Sequence, residues 1–528
     1  MAKRLASLIL LAIGVALACA VILLVVMFMA PGLSIFGIKY IATNTHVVSK
    51  VSAVTDEIGS FSGSFRVEVE DVPVYVVFTQ GYSYQVDYYD NYSGLTASKL
   101  EDPYIEFSKD SDGTAVIKVT SFKTLGFENA NSKRHVKILI PSNQVSSGTT
   151  NLKIVSKNSK VHFEEEREDY YDPYFNNIEI ETAGKITSSV QVTAKNFILK
   201  TLNTINITDS AIESINATNY YLTSTGGKIV VDRDVSGDIV AKTNNARIQI
   251  MSCQNFTADA GFGDVYCARK GAEVTIFGKA DIKTTAGVVD LGSILGTSSK
   301  STIATKTGNV RIKKAYDLDI STTRGFVRVA SARNLNVTTS SGSITVEEAT
   351  ASVKAVSKRG KIYLGGESNV LCNPTVESTY GKVFIYSASG TVKASTVKAD
   401  MEFTNRDATK ATLNVGGNLI AKNLLGAVSI EVDGNATIDF ANFTQASTIT
   451  GKKAKSLMTI NLLANETNTL SYNFEGNDVT LLEYNTDDPS NNYQIDKSTN
   501  IVSGAASAGR PLLTVKNPGQ VVVYCKKS

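Results

Sequence analysis

The sequence contains no tryptophan, only nine prolines and only three histidines, His46, His135 and His162. So few histidines exclude a His-rich metal centre and any mechanism that needs several imidazoles. Five cysteines in 528 residues are too few for a disulfide scaffold. An excess of one charge is also missing. The 53 Lys and Arg residues against 50 Asp and Glu leave a net charge of +3, which gives no global electrostatic footprint for nucleic acid. Scarce proline with 43% apolar residues argues against wholesale disorder. No Gly-x-Ser-x-Gly, His-Glu-x-x-His or phosphate-binding glycine loop occurs, and Asp290 and Asp319 fall on different strands, so no acidic pair recurs on one face for glycoside cleavage. Enzymatic activity is therefore not expected, and neither is a cofactor or a bound metal.

What is present begins with Lys3 and Arg4, followed by an unbroken apolar run from Leu5 to Ala30 that Pro31-Gly32 closes. At about 1.5 Å per residue this run is long enough to cross a bilayer with some tilt. A cleaved signal peptide has a shorter apolar core. The small-residue stretch Ala16–Ala20, with Cys19, loosely suggests a lipoprotein cleavage site, but apolar Val21–Met29 follows where a mature protein would turn polar. The reading is an uncleaved signal anchor with its basic end inside, which places the bulk of the chain extracytoplasmic at the cell membrane.

After the anchor the texture is β, as in Arg66–Glu70, Ala115–Val119 and Val136–Ile140, with Asp112-Gly113 as a hairpin turn and no sustained helical period. A repeat then emerges: Gly-x-β-x-β, where β is an apolar strand residue. It appears at Gly227, Gly287, Gly308, Gly325, Gly342, Gly360 and Gly381, with Ser or Thr one to three residues before the glycine. A second inward column lies five residues before each glycine: Leu222, Ala258, Ile282, Ile303, Ile320, Val337, Ala355 and Val376. Ala246 replaces glycine in one coil, the register blurs over 390–420, and it returns at Gly426-Ala-Val428-Ser-Ile430. A unit of two short strands and two turns cannot bury an apolar face alone. Stacked in register, such units form continuous Val and Ile columns and pair every backbone edge with the coil above and below. The expected fold class is all-β: a parallel β-helix or solenoid with an N-terminal β region and a single N-terminal transmembrane helix. The expected divisions are a cytoplasmic tip at 1–4, the anchor at 5–30, a juxtamembrane connector at 31–60, an N-terminal β region at 61–178, solenoid repeats of about 17–21 residues at 179–460, and C-terminal coils and cap at 461–528.

With this repeat and the strand–proline block Val136–Pro141, the chain resembles a bacterial adhesin-like β-solenoid domain family of unknown function. In that family a β segment ending in proline opens a right-handed solenoid of Ser/Thr-x-x-Gly-x-Ile/Val coils. Here Leu152-Lys-Ile154 would be the first coil after Pro141, and Leu512–Val523 looks like the final one. The resemblance covers about residues 61–528 and implies a fold and a surface location; it carries no catalytic residues. The acidic insertion at 164–175 and the stretch at 390–420 depart from the pattern.

Candidate binding chemistry lies in the outward column three residues after each glycine, which reads Arg311, Arg328, Thr345, Tyr363, Phe384. Stacking would make a cationic and aromatic stripe of Arg311, Arg328, Tyr363 and Phe384, in which the two arginines repel unless an anion bridges them. A cell-wall polymer, a glycan or a surface protein are the partners this chemistry suits; ordinary β-surface composition would also produce it. The acidic loop at 164–172 could hold a cation but matches no calcium loop, so a solvated loop is the better reading. Cys267 reads as an inward core residue and Cys253 as a turn residue at a different offset, so no disulfide is expected between them. The functional expectation is a non-catalytic binding or structural module of a bacterial envelope. An envelope-sensing or scaffold protein with a membrane partner and a β-helix enzyme acting on polysaccharide are the alternatives.

Overall fold

The computed structural model describes residues 11–22, 34–35, 38–39, 44–70, 72–94, 105–120, 134–145, 147–166, 173–207, 215–267, 274–297, 299–366, 371–425, 427–441, 443, 445–462, 471–485, 493–504 and 510–527. These residues are mostly strand. Internal contacts divide the chain into two compact units, residues 1–225 and 226–528. That division falls inside the 179–460 stretch expected to be one run of repeats. Of the apolar N-terminal run, residues 11–22 form an exposed helix, and residues 5–10 and 23–30 lie outside the described residues. No helix among the described residues is long and apolar enough to cross a membrane.

In the first unit, two sheets face each other. One orders Ile105–Lys109, Ala115–Val119, Phe65–Val69, Asn151–Ser156, Tyr174–Thr182, Val192–Thr201 and Ile215–Ser224, all parallel except the first pair. That antiparallel pair is the hairpin expected at Asp112-Gly113: Gly113 takes φ +84°, and Thr114 donates its N–H to Asp112 Oδ1 at 3.0 Å. The second sheet has six strands. In it Val74–Thr79 pairs with both Val161–Glu165 and His135–Pro141, and Gln85–Gly94 and Asn44–Ala53 add antiparallel at one edge. Phe65–Thr79 is thus already a coil, lying directly under the one that begins at Leu152. Pro141 therefore does not mark where the solenoid opens. Aromatic side chains fill this unit: Phe65, Phe78, Tyr88, Phe163, Phe175, Phe197 and Tyr220 are fully buried. A ladder of side-chain amides runs along it, Asn177 to Asn151, Asn196 to Asn177 and Asn219 to Asn196, at 2.8, 2.8 and 2.9 Å. One short helix, Val54–Ile58, interrupts the β texture.

The second unit shows the repeat register as expected. Val310, Ile312, Val327, Val329, Ile344 and Val346 are buried, as are Ile320 and Val337 in the second column. Val310, Val327, Ile344, Ile362 and Val383 pair in sequence across successive coils. Each buried Val or Ile contributes about 1.5–3 kcal/mol relative to exposure. A third inward column was not expected: Ile294, Ala315, Ala332, Ala349, Leu371 and Ala388 stack in register. It arises because the strands do not stop between the two faces. In Val310–Thr322 the buried positions are 310, 312, 315, 318, 320 and 322, so the alternation of two gives way twice to a step of three, and the chain bends at each.

The glycine corner explains the motif. A Cβ on Gly287, Gly308, Gly325, Gly342, Gly360 or Gly381 would collide with the carbonyl oxygen of the glycine one coil before. Close backbone approach, not a positive φ, therefore demands glycine here. The buried hydroxyls three residues earlier accept hydrogen bonds from the corner amides: Thr305 from Gly308 at 3.0 Å, Thr339 from Gly342 at 2.9 Å and Ser357 from Gly360 at 2.9 Å. This serves donors that would otherwise be buried unpaired.

Two readings of the repeat need correction. Across 390–420 the register is irregular only in part: bulges displace the pairing between Ile385 and Thr391, while the column after the glycine corner holds. Val383 pairs Met401, Met401 pairs Leu419, and Leu419 pairs Ala436, so the column continues. Ala399 replaces glycine at one corner, and the link from Val415 to Leu419 is one residue shorter than that from Thr396 to Met401, which defeats counting from glycine. Val428 and Ile430 belong to the other face, where Ile430 pairs Leu413 and Ile449. Gly426 itself lies outside the described residues. Second, Leu512–Lys527 is last in sequence but not in the stack. It slots between Leu457–Leu462 and Ser471–Asn485, and Tyr493–Gly504 then pairs antiparallel on the far edge. An antiparallel closing strand ends the parallel ladder, so the next edge no longer matches a further coil.

Candidate functional site

The offset of three after each glycine places outward side chains in one column, and the structure brings the four candidates onto it. Arg311 pairs in register with Arg328, Arg328 with Thr345, Thr345 with Tyr363, and Tyr363 with Phe384. Both arginines are exposed, and Tyr363 and Phe384 are half-buried. The rings of Tyr363 and Phe384 stack in parallel, with centroids 4.5 Å apart and planes 5° apart. Tyr386 lies beside this stack, its ring centroid 6.4 Å from that of Phe384. Lys382 Nζ lies 4.7 Å from the Phe384 centroid and 2.6 Å from Glu402 Oε1. Pairing with Glu402 raises the Lys382 pKa, and burial followed by the Glu402 charge raises that of Tyr386.

The arginines do not need an external anion. Glu347 Oε1 accepts from Arg328 Nη2 at 2.7 Å and Nε at 3.0 Å, and the Arg311 guanidinium sits 5.1 Å from the Phe326 ring centroid. Asp290 is the register neighbour of Arg311 on its other side. The repulsion expected between like charges is met within the chain. Asp290 was legible, being three residues after Gly287; Glu402 was hidden because Ala399 stands where its coil would have glycine.

The other candidates separate. Glu164 lies 3.8 Å from both Lys137 and His162, and residues 167–172 of the acidic loop lie outside the described residues. Among the described residues no cluster of three or more His, Cys, Asp or Glu side chains could hold a metal ion. Cys267 is buried at the inward position expected, Cys253 is buried as well, and no disulfide forms. Burial pushes the Cys267 thiol up to about 12 and that of Cys253 higher still. Open cavities among the described residues include one of about 430 Å³ by Lys157, Glu181 and Lys200, one of about 400 Å³ by Glu475, Asn500 and Lys516, and one of about 260 Å³ by Lys300, Asn336 and Lys354. The first two have one carboxylate each in their lining and the third has none.

No known family profile matches the chain, and no curated protein matches it. Among solved structures, a "putative cell adhesion protein" from Clostridium sporogenes aligns over 92% of this chain and all of that one, at 6% identity and a TM-score of 0.14.

Proposed function

We propose that this chain is a membrane-anchored, extracytoplasmic β-solenoid that binds an envelope polymer or glycan without chemically changing it. The observation that carries the reading is the Tyr363–Phe384 stack, two half-buried rings packed face to face on adjacent coils, which form an outward aromatic ridge on a rigid ladder. Sugar rings present apolar faces that pack against such an aromatic ridge. Single contacts of this kind are weak, and a repeating ligand on a repeating ladder gains affinity from their number. The anchor is supported by the length of the Leu5–Ala30 run and by Lys3 and Arg4 before it.

The test uses the full chain in nonionic detergent, pulled down on purified cell-wall material. Wild type is expected to bind, and the double variant Tyr363→Ala with Phe384→Ala to lose at least tenfold in affinity with its thermal unfolding unchanged. Equal binding by both proteins would reduce the stack to ordinary sheet surface. Membrane fractionation of the expressed protein tests the anchor separately: recovery in the soluble fraction, or a mature start near Cys19 or Pro31, would overturn it.

A further inference from the structure

The glycine corner of the second unit carries an uneven distribution of charge. Five successive coils turn at Gly308, Gly325, Gly342, Gly360 and Gly381, and backbone hydrogen bonds hold their corners in register. Arg324 N–H donates to Lys306 O at 2.9 Å, Ser341 to Thr323 at 2.8 Å, Arg359 to Ser340 at 3.0 Å and Tyr380 to Lys358 at 2.9 Å. From four residues before each glycine to three after it, these coils hold eight basic residues: Lys306, Arg311, Arg324, Arg328, Lys358, Arg359, Lys361 and Lys382. They hold one acid, Glu377. This strip is +7 in a chain whose total is +3, so the rest of the chain is net negative. The sixth corner adds Lys398, whose Nζ lies 5.9 Å from the ring centroid of Tyr380, itself 51% exposed.

Arg328 and Lys382 are neutralised by Glu347 and Glu402. Lys306, Arg324, Lys358, Arg359 and Lys361 are exposed on the corner itself, and among the described residues no carboxylate forms an ion pair with them. At about 4.8 Å per coil, the cations from Lys306 to Lys398 span roughly 24 Å along the stacking direction, in a band from two residues before each corner to one after it that the cation-free Gly342 corner interrupts. Self-repulsion along such a band is a standing cost unless something anionic lies on it.

We infer that this corner is a binding track for a linear anionic glycan lying along the stack. The shape is a narrow ridge, which suits one extended strand. One ring of an extended sugar chain spans about one coil, so its acidic groups can meet the cationic corners on both sides of the Ser-rich Gly342 corner. Tyr380 offers a ring face part-way along, next to a cation. The inference rests on the reading that the outer surface holds an envelope polymer, and it names the polymer's charge and the edge that grips it. Carboxylate and phosphate polymers share the chemistry.

The experiment measures binding of the full chain in nonionic detergent to fluorescent polygalacturonate, to a polyol phosphate polymer and to a single-stranded oligonucleotide, at 50 and 200 mM salt. About five ionic contacts would lower affinity roughly a hundredfold between these salt concentrations. The variant Lys306→Ala/Arg324→Ala/Lys358→Ala/Arg359→Ala is expected to bind the glycans at least tenfold more weakly, with a shallower salt dependence. The variant K358R should bind as wild type. A charge-matched control, Lys393→Ala/Lys410→Ala/Lys422→Ala/Lys455→Ala, should also bind as wild type, and circular dichroism should show all variants folded. Whichever acidic polymer binds identifies the acid. If wild type binds no polymer, both the inference and the reading beneath it fail. If wild type binds but the corner variant binds equally well, or the control loses as much, the corner is not the track while the broader reading stands. Tighter binding of the oligonucleotide than of either glycan would overturn the assignment of the ligand class.

Discussion

Replacing Gly325 by alanine tests the stacking geometry at its tightest point. The new Cβ would fall on the Gly308 carbonyl oxygen, closer than any real contact between carbon and oxygen. Relief requires the two corners to part by more than ~1 Å, because the adjoining atoms are already at contact distance. Several hydrogen bonds hold that corner: Thr323 and Arg324 N–H to Lys306 O at 3.0 and 2.9 Å, and Val310 N–H to Phe326 O at 2.8 Å. The Gly325 N–H also reaches Thr322 Oγ1 at 3.2 Å, where the hydroxyl is buried. Losing two or three such bonds at about 1 kcal/mol each, with one polar group left buried and unpaired at a further 1–3 kcal/mol, gives an expected cost of about 3–5 kcal/mol. Gly366→Ala is the control, since nothing lies within reach of a Cβ there; it should stay within about 0.5 kcal/mol. Urea unfolding gives the global figure. Amide hydrogen exchange at Val310 and Val327 gives the local one, because each coil contacts only its neighbours and the loss should centre there. A Gly325→Ala protein as stable as Gly366→Ala would refute close backbone stacking as the reason for the motif.

Three further outcomes follow from the same coordinates. Thr339→Val keeps the side-chain shape but removes the acceptor for the Gly342 amide 2.9 Å away, so it should cost about 1–3 kcal/mol in urea unfolding, and Thr339→Ser should restore most of it. In native protein Cys253 and Cys267 should resist iodoacetamide at pH 8 and be alkylated once urea unfolds the chain, as read by mass spectrometry, because burial holds both thiols far above that pH. Burial, followed by the Lys160 charge, holds His162 below its ordinary pKa of 6.5 against the opposing pull of Glu164. The folded state then binds fewer protons than the unfolded chain just below pH 6.5, so the stability of the neutral ring is complete above that value and lost as pH falls through the folded pKa. Urea midpoints at pH 7.5, 6 and 5 should fall less steeply for His162→Gln than for wild type; equal slopes would show that the ring does not couple to folding.

The inward columns were legible in the sequence because a parallel stack repeats the same local offset: Val310, Val327 and Ile344 each follow a glycine by two residues, and Ile320 and Val337 each precede one by five. Local periodicity is enough wherever each coil packs on its neighbours in chain order. The outward column was legible for the same reason, so Tyr363 and Phe384 could be placed side by side before any coordinates. The third column at Ala315 and Ala332 could not be, because it follows from where a continuous strand bends.

Layer order and charge pairing were decided only in three dimensions. Ala115–Val119 lies outside Phe65–Val69, and Leu512–Lys527 enters the stack beneath Ser471–Asn485, although in each case chain order suggests the opposite. A strand edge accepts any segment whose backbone can reach it, so such insertions leave no local pattern. Arg328 found Glu347, and Lys382 found Glu402, on neighbouring coils 19 and 20 residues away. An ion pair depends on side-chain reach across the 4.8 Å spacing of stacked strands, which separation along the chain does not encode. The sequence alone therefore determined the two inward columns that keep a fixed offset from glycine, and the tertiary structure decided the third column and which of the described outward charges are paired.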